Sequence, residues 1–235
     1  MTKKIAGWIK KGNSVIFSGA GMSTASGIPD FRSTYGLWYQ FNPMEIATIK
    51  AYRESYEKFR DFYRERIRNI ENVKPNAGHN ILVEWEKKGF IKGLITQNVD
   101  GLHKRAGSKN IAELHGRLEE IVCGVCSAEY DLPSFFLDKK CDCKGTLRPN
   151  IVLFGEQLPE ESLRKAEEWS MYCKTFIVLG SSLVVSPANL FPEMAKDHKA
   201  KLIICNREET NLDRVADVVF HGEIDDFLGR INAFL

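Results

Sequence analysis

Residues 14–23 read SVIFSGAGMS, a short run of β-forming side chains that gives way to Gly19-Ala20-Gly21. So short an apolar run suits a buried strand better than a helix, and the glycines mark a tight turn at its end. Comparable runs recur at Lys92 to Thr96, Thr175 to Leu179 (TFIVL), Lys201 to Cys205 (KLIIC) and Asp217 to Phe220, with helix-like stretches between them. Strand and helix alternating in this way predict a parallel α/β sheet. An opening helix is expected to stop near Gly12. Two segments break the pattern, a polar and aromatic helical stretch at 44–72 and a cysteine-bearing run at 118–148, and both read as insertions. The stretch from Ile28 to Pro43 lacks periodicity and is expected to be a lid or disordered.

The turn after the first strand places Gly19 and Gly21 where a backbone would approach a phosphate, with a helix N-terminus beyond it to supply free N–H groups. Thr24 stands where the dinucleotide fingerprint carries its third glycine, and no acidic residue follows a second strand at the usual distance. On these residues alone the turn is either a nucleotide site or an ordinary tight turn.

Composition narrows the class. The chain has 235 residues, 43% of them apolar, enough for a large globular domain or one carrying a small insert. Thirty-three Lys and Arg against 31 Asp and Glu leave +2, a balance that gives no reason to expect direct nucleic-acid binding or a membrane partner. The start, MTKKIAGWIKKG, lacks a signal-peptide apolar core, and no window approaches the ~20 apolar residues of a span, so a cytoplasmic protein is expected. Cysteines in that compartment stay reduced. Cys173 and Cys205 stand alone beside apolar runs and are expected in the core. Cys123-x-x-Cys126 and Cys141-x-Cys143 make two knuckles that predict a tetrahedral zinc site, structural because four thiolates leave no open position.

Thr96-Gln97-Asn98-Val99-Asp100 follows a strand, where ligand sites of open α/β sheets collect, although Asn and Asp there also suit a helix cap. His115, in Glu113-Leu114-His115-Gly116, could take a proton from a hydroxyl near neutral pH. Taken singly, it and His79, His103, His198 and His221 read better as hydrogen-bonded structural residues.

In order along the chain, Gly19-Ala20-Gly21-Met22-Ser23, Gly27-Ile28-Pro29-Asp30-Phe31-Arg32, Thr96-Gln97-Asn98-Val99-Asp100 and Leu114-His115-Gly116 resemble the sirtuin family of NAD-dependent protein deacylases. The likeness continues through the four cysteines, residues 148–156 (RPNIVLFGE), Gly180-Ser181-Ser182 and Cys205-Asn206-Arg207-Glu208. It implies a Rossmann-like domain from 1–43, 73–117 and 149–235, and a smaller domain from the helical insert (44–72) and a zinc ribbon (118–148). NAD is implied as co-substrate and acyl-lysine proteins as partners, and the protein is expected to be a monomer.

Carried over by position, Gly19, Ala20, Gly21, Ser23, Asp30, Phe31 and Arg32 would hold the pyrophosphate and nicotinamide ribose. Gln97, Asn98 and Asp100 would hold the ribose and carboxamide, and Gly180, Ser181, Ser182, Asn206 and Glu208 the adenosine end. The acyl oxygen would attack the ribose C1′ and expel nicotinamide, with Asn98 and the general base His115 serving catalysis. Val152, Phe154, Gly155 and Glu156, with Leu183, Val184 and Val185 opposite, would clamp the substrate backbone as an added strand.

Within the insert Tyr52, Tyr56, Phe59, Tyr63, Arg66 and Ile70 recur at alternating steps of four and three, one face of a helix. A guanidinium in that stripe suits a carboxylate, and a phenol can add a hydrogen bond. Tyr63 and Arg66, with the small Ala47, resemble the acyl pocket of sirtuins that prefer succinyl and malonyl lysine. The plain alternative pairs Arg66 with a neighbouring Glu or lets it reach solvent. Asp30 is of the type found in deacetylating branches. The competing classes are a protein ADP-ribosyltransferase, a deacetylase without acidic-acyl preference, an NAD-linked oxidoreductase and a zinc-ribbon binding module.

Overall fold

The computed structural model describes residues 1–34 and 36–235. Its strands are β1 (Ser14–Ser18), β2 (Ile91–Thr96), β3 (Ile111–Glu113), β4 (Gly116–Cys123), β5 (Glu129–Tyr130), β6 (Leu147–Ile151), β7 (Thr175–Leu179), β8 (Lys201–Cys205) and β9 (Val218–Phe220). Six form a parallel sheet in the order β3-β2-β1-β7-β8-β9; the other three form an antiparallel sheet, β5-β4-β6. The chain adds strands to one side of β1 and, after the small sheet, to the other. Between β1 and β7 the order therefore reverses, which opens a crevice at the C-terminal ends of those strands.

Alternation along each strand builds two cores. Val15, Phe17, Phe176, Val178, Leu202 and Ile204 point to one face, Ile16, Ile177, Leu179, Ile203 and Cys205 to the other. Helices α1 (Thr2–Ile9), α2 (Leu37–Gln40), α3 (Pro43–Ile46), α4 (Ile49–Glu54), α5 (Tyr56–Glu71), α6 (Ala77–Lys87), α7 (Leu102–Ala106), α8 (Leu132–Phe136), α9 (Glu160–Tyr172), α10 (Leu190–Asp197) and α11 (Ile224–Asn232) complete the chain. Trp169 and Phe191 of α9 and α10 cover the first face, and Ile5, Trp85 and Phe227 of α1, α6 and α11 the second. Cys173 and Cys205 lie in these cores as expected. None of the described helices is long and apolar enough to cross a membrane.

A third core belongs to the insertions. Phe59, Phe62, Tyr63 and Ile67 of α5 pack with Leu118, Ile121, Phe135 and Leu147, so the helical stretch and the ribbon bury their apolar faces in each other. The stretch is not one helix. It breaks at Ala47 and again at Ser55, which sits at φ −138° and ψ 48°. Tyr52 therefore stands on α4, and the hydroxyls of Tyr52 and Tyr56 bond Thr146 and the Leu147 carbonyl, pinning the ribbon rather than facing a cleft. Within the unpatterned segment, α2 and the start of α3 lie inside residues 36–43, a helical content that four-residue helices leave too faint for periodicity to reveal.

Candidate active site

The β1 turn enters a 3₁₀ helix (Ala20–Ser26), not an α-helix, and most of its first amides are engaged within the protein. Gly19 N donates to Leu179 O at 3.0 Å, Gly21 N to Gly180 O at 2.9 Å and Met22 N to Gly19 O at 2.9 Å. The glycines serve close packing between strand ends. A Cβ on Gly19 would lie 2.6 Å from Gly180 O, and one on Gly21 would lie 2.7 Å from Gly180 Cα. Gly180 itself sits at φ +63°, where any side chain is strained. Phosphate approach, the reason inferred from sequence, is joined by a backbone-packing reason that depends on β7, far along the chain.

Opposite this turn, Gln97 and Asn98 leave the end of β2. Gln97 Nε2 donates to Ser181 Oγ at 2.8 Å, which spans the crevice floor. Asn98 is buried, donating from Nδ2 to Gly19 O at 3.0 Å and Ser23 Oγ at 3.3 Å. Ser23 in turn donates to Asp100 Oδ2 at 2.7 Å, and Asp100 Oδ1 accepts from Leu102 N at 2.8 Å. Burial raises the pKa of Asp100 despite these bonds. Ser23 and Asp100, assigned to cofactor contact from sequence, do not line the cavity; they sit behind Asn98 and hold it.

His115 leaves β3 and lines the same cavity. Its Nδ1 lies 3.0 Å from Gln97 O, a carbonyl that can only accept, so Nδ1 carries the proton and Nε2 keeps its lone pair. Burial lowers the His115 pKa, partly opposed by that bond, so the ring is a neutral base near pH 7.

The loop after β6 forms the next wall. Val152 N donates to His115 O at 2.9 Å, and Phe154 N to Ala47 O at 2.9 Å, tying ribbon, base and helical insert together. Leu153 N donates to Glu156 Oε2 at 2.8 Å, while Arg148 grips both Glu156 oxygens at 2.7 Å. Glu156 lines the cavity, but its carboxylate is committed to shaping this loop. Of the amides at 152–156, Gly155's alone is not engaged among the described residues, so an added strand on this side finds one donor. Phe154 is exposed at the rim; Val184, also exposed, lies outside the cavity lining, whereas Val185 lines it.

Ala47, Tyr63 and Arg66 close the inner end. Tyr63 is buried and its phenol is pushed up to about 12, so it stays a donor. The Arg66 guanidinium lies 5.1 Å from the Phe31 ring and 5.9 Å from the Phe62 ring, with no carboxylate within 4.0 Å among the described residues. Phe31 packs against Trp38 with tilted rings, centroids 4.9 Å apart, and Asp30 Oδ1 accepts from Arg32 N at 3.1 Å and Ser33 N at 2.8 Å, which shapes the loop over the crevice. At the far end Ser182, Asn206 and Glu208 line the cavity, with Asn206 Nδ2 donating to Glu208 O at 2.8 Å. Trp38 and the Gly222–Asp225 turn also line it and were not anticipated; the latter follows β9, and its place after a parallel strand was the available signal.

The four clustered cysteines lie in the ribbon, away from this cavity. Their ligand atoms all fall within 4.8 Å of one another, with Cys123 and Cys143 Sγ at 3.5 Å and Cys126 and Cys141 Sγ at 3.4 Å. Tetrahedral zinc at ~2.3 Å from each sulfur needs edges of ~3.8 Å, so both knuckles contribute and the set fits a structural zinc.

A model of the Sir2 family matches residues 19–187. The chain belongs to the Sir2 family. An NAD-dependent protein deacetylase of Oceanobacillus iheyensis is 47% identical to this Sir2 protein over 232 residues, covering 97% of this chain and 98% of that one. One of that description from Geobacillus kaustophilus is 47% identical over 234 residues, covering 97% and 96%. Among solved structures, a Sir2 complex with p53 peptide and NAD+ superposes with TM-score 0.90 at 38% identity, covering 98% of this chain and 97% of that one. A further Sir2 complex, with deacetylated p53 peptide and 3′-O-acetyl ADP ribose, gives 0.92 at 38%, covering 97% and 96%.

Proposed function

We propose that this Sir2 protein removes acetyl groups from protein lysine using NAD as a consumed co-substrate, releasing nicotinamide and acetylated ADP-ribose. The observation that carries the reading is the neutral His115, its Nδ1 fixed by Gln97 O, in one cavity with Asn98 and the Gly19–Gly21 turn. Bound NAD supplies an electrophilic ribose carbon and a leaving nicotinamide. Asn98, held by Gly19 O and Ser23, orients the polar groups there; Gln97 and Ser181 lie between the strand ends where the dinucleotide would cross. His115 Nε2 takes the proton of a ribose hydroxyl. Curated relatives carrying the deacetylase description at 47% identity over nearly the whole chain support the same activity.

The test is incubation with NAD and an acetyl-lysine peptide. Nicotinamide and free-lysine peptide should appear in equal amounts, and His115→Tyr should abolish release of free-lysine peptide and limit nicotinamide release to a single turnover at most. Growth of NADH absorbance would mean an oxidoreductase, and nicotinamide release without deacetylation an ADP-ribosyltransferase.

A second activity, removal of succinyl and malonyl groups, is favoured by Arg66. A guanidinium inside a partly apolar cavity, with no carboxylate partner among the described residues and Tyr63 one turn away, suits an acyl chain that brings its own carboxylate. Arg66→Met should lower kcat/KM on a succinyl peptide by about 10²-fold, worth ~3 kcal/mol, while an acetyl peptide changes severalfold at most. Equal losses on both peptides would remove the acidic-acyl reading and leave the deacetylase reading in place.

A further inference from the structure

We propose that Thr96, Ser18 and His103 are positioning residues for the general base, acting on His115 through the peptide group between Gln97 and Asn98. The carbonyl of that peptide is Gln97 O, which accepts from His115 Nδ1 at 3.0 Å. Its N–H belongs to Asn98 and donates to Thr96 Oγ1 at 3.0 Å. A peptide group is planar, so whatever fixes the N–H also fixes the direction of the carbonyl.

Behind Thr96 the bonds continue into the protein. Ser18 Oγ donates to Thr96 Oγ1 at 2.9 Å and lies 2.8 Å from His103 Nε2. A hydroxyl has one proton to give, and Ser18 gives it to Thr96, so His103 Nε2 is the donor in the second bond. Burial disfavours the charged ring, which leaves the lone pair on His103 Nδ1. His103 and His115 therefore hold opposite tautomers. Ser18 and Thr96 are the paired last residues of β1 and β2, and His103 stands on α7. All three are buried, and the backbone beside them is fixed by Gln97 N on Ser18 O at 3.0 Å and Leu114 N on Thr96 O at 2.9 Å.

The plain explanation is that Thr96 only satisfies an amide left over at a strand end, as Ser and Thr do in many turns. One hydroxyl suffices for that. Ser18 and His103 add two further polar groups that are costly to bury and that the amide does not require. What they add is direction: Thr96 Oγ1 accepts from both Ser18 and Asn98 N, and it cannot turn away without losing one of them. None of the three residues lines the cavity, so they reach the chemistry only through the peptide whose carbonyl decides which nitrogen of His115 is free. The effect on rate rests on the deacetylase reading, whereas the tautomers do not.

The experiment is ¹⁵N NMR of the histidine side chains in the full chain near neutral pH, with His115→Tyr and His103→Gln assigning the signals, beside steady-state kinetics on an acetyl peptide. The wild type should show the proton on Nδ1 of His115 and on Nε2 of His103. Thr96→Val keeps the shape and removes the acceptor; it should mix the His115 tautomers and lower kcat by about 10–10²-fold, with KM for the peptide within about twofold. Thr96→Ser keeps the oxygen and should stay within about threefold of wild type in kcat. Ser18→Ala should move both readouts the same way as Thr96→Val, and it is the variant to read if Thr96→Val does not fold. A single Nδ1–H tautomer of His115 in the variants, an unchanged kcat in an active enzyme, a loss in Thr96→Ser as large as in Thr96→Val, or Nδ1–H on His103 in the wild type would each overturn the proposal. Tautomers as assigned and displaced in the variants, in a wild type that does not deacetylate, would keep the brace and remove the deacetylase reading.

Discussion

His115 shows how one bond settles a role that five histidines in a sequence leave open. The Gln97 carbonyl takes the Nδ1 proton and burial disfavours the charged ring, so Nε2 is a base at neutral pH. A group with a lowered pKa loses its proton-accepting form only below that pKa. The acid limb of kcat/KM for deacetylation should therefore fall below pH 6.5, the ordinary histidine value. A limb at or above 6.5 would show that the imidazole is not shielded as described. Asn98 is held by carbonyl, hydroxyl and, through Ser23, carboxylate. Its neighbours Ser23 and Asp100 were legible in sequence as site residues, but whether a side chain touches a ligand or only braces one that does depends on its rotamer and depth, which spacing does not encode.

At the scale of elements, turn and ribbon carry separable predictions. Gly180→Ala would force a side chain into φ +63° and to 2.6 Å from the Gly21 carbonyl carbon, contacts that only backbone movement relieves. A loss of ~2–4 kcal/mol in urea unfolding is expected, larger than for Gly229→Ala, a helical position with open space. If the two cost the same, the strand-end packing does not matter as argued. In the ribbon, Cys141→Ser should abolish binding of zinc, about one ion per chain, and expose 123–146 to proteolysis, while sheet-core amides stay protected from exchange. Metal retained at full occupancy would contradict the four-sulfur site. Five strands of the large sheet are readable because each is a short apolar run; β3, three residues long, is not, and neither are β4, β5 and β6 of the small sheet, whose residues are largely polar. The insert was read as one helix because its apolar period continues across Ser55; a backbone break of one residue leaves that period nearly intact.

For the whole molecule, the switch between β1 and β7 brings segments some 160 residues apart to one crevice. It also buries a histidine pair, His79 and His103, with ring centroids 4.7 Å apart beneath the β1 and β2 ends. Burial lowers the His79 pKa to about 4, and that of His103 well below its usual value, so each ring is neutral when folded. The unfolded chain binds these protons near pH 6.5, and stability present above that pH is lost as pH falls toward 4. His79 alone accounts for ~3 kcal/mol at the low end, so urea midpoints should decline between pH 6.5 and 4. A flat profile over that window would mean that the pair is charged or solvated in the folded protein.

Sequence by itself determined the parallel α/β class, the buried strands, the four zinc ligands and the family, because strand periodicity, ligand chemistry and motif order are properties of the chain. Tertiary structure decided which site residues reach the cavity and which stand behind it, and why the glycines at the strand ends resist replacement. Those outcomes depend on segments distant in sequence packing at van der Waals range, where a few tenths of an ångström, a single rotamer or one carbonyl separates contact from support.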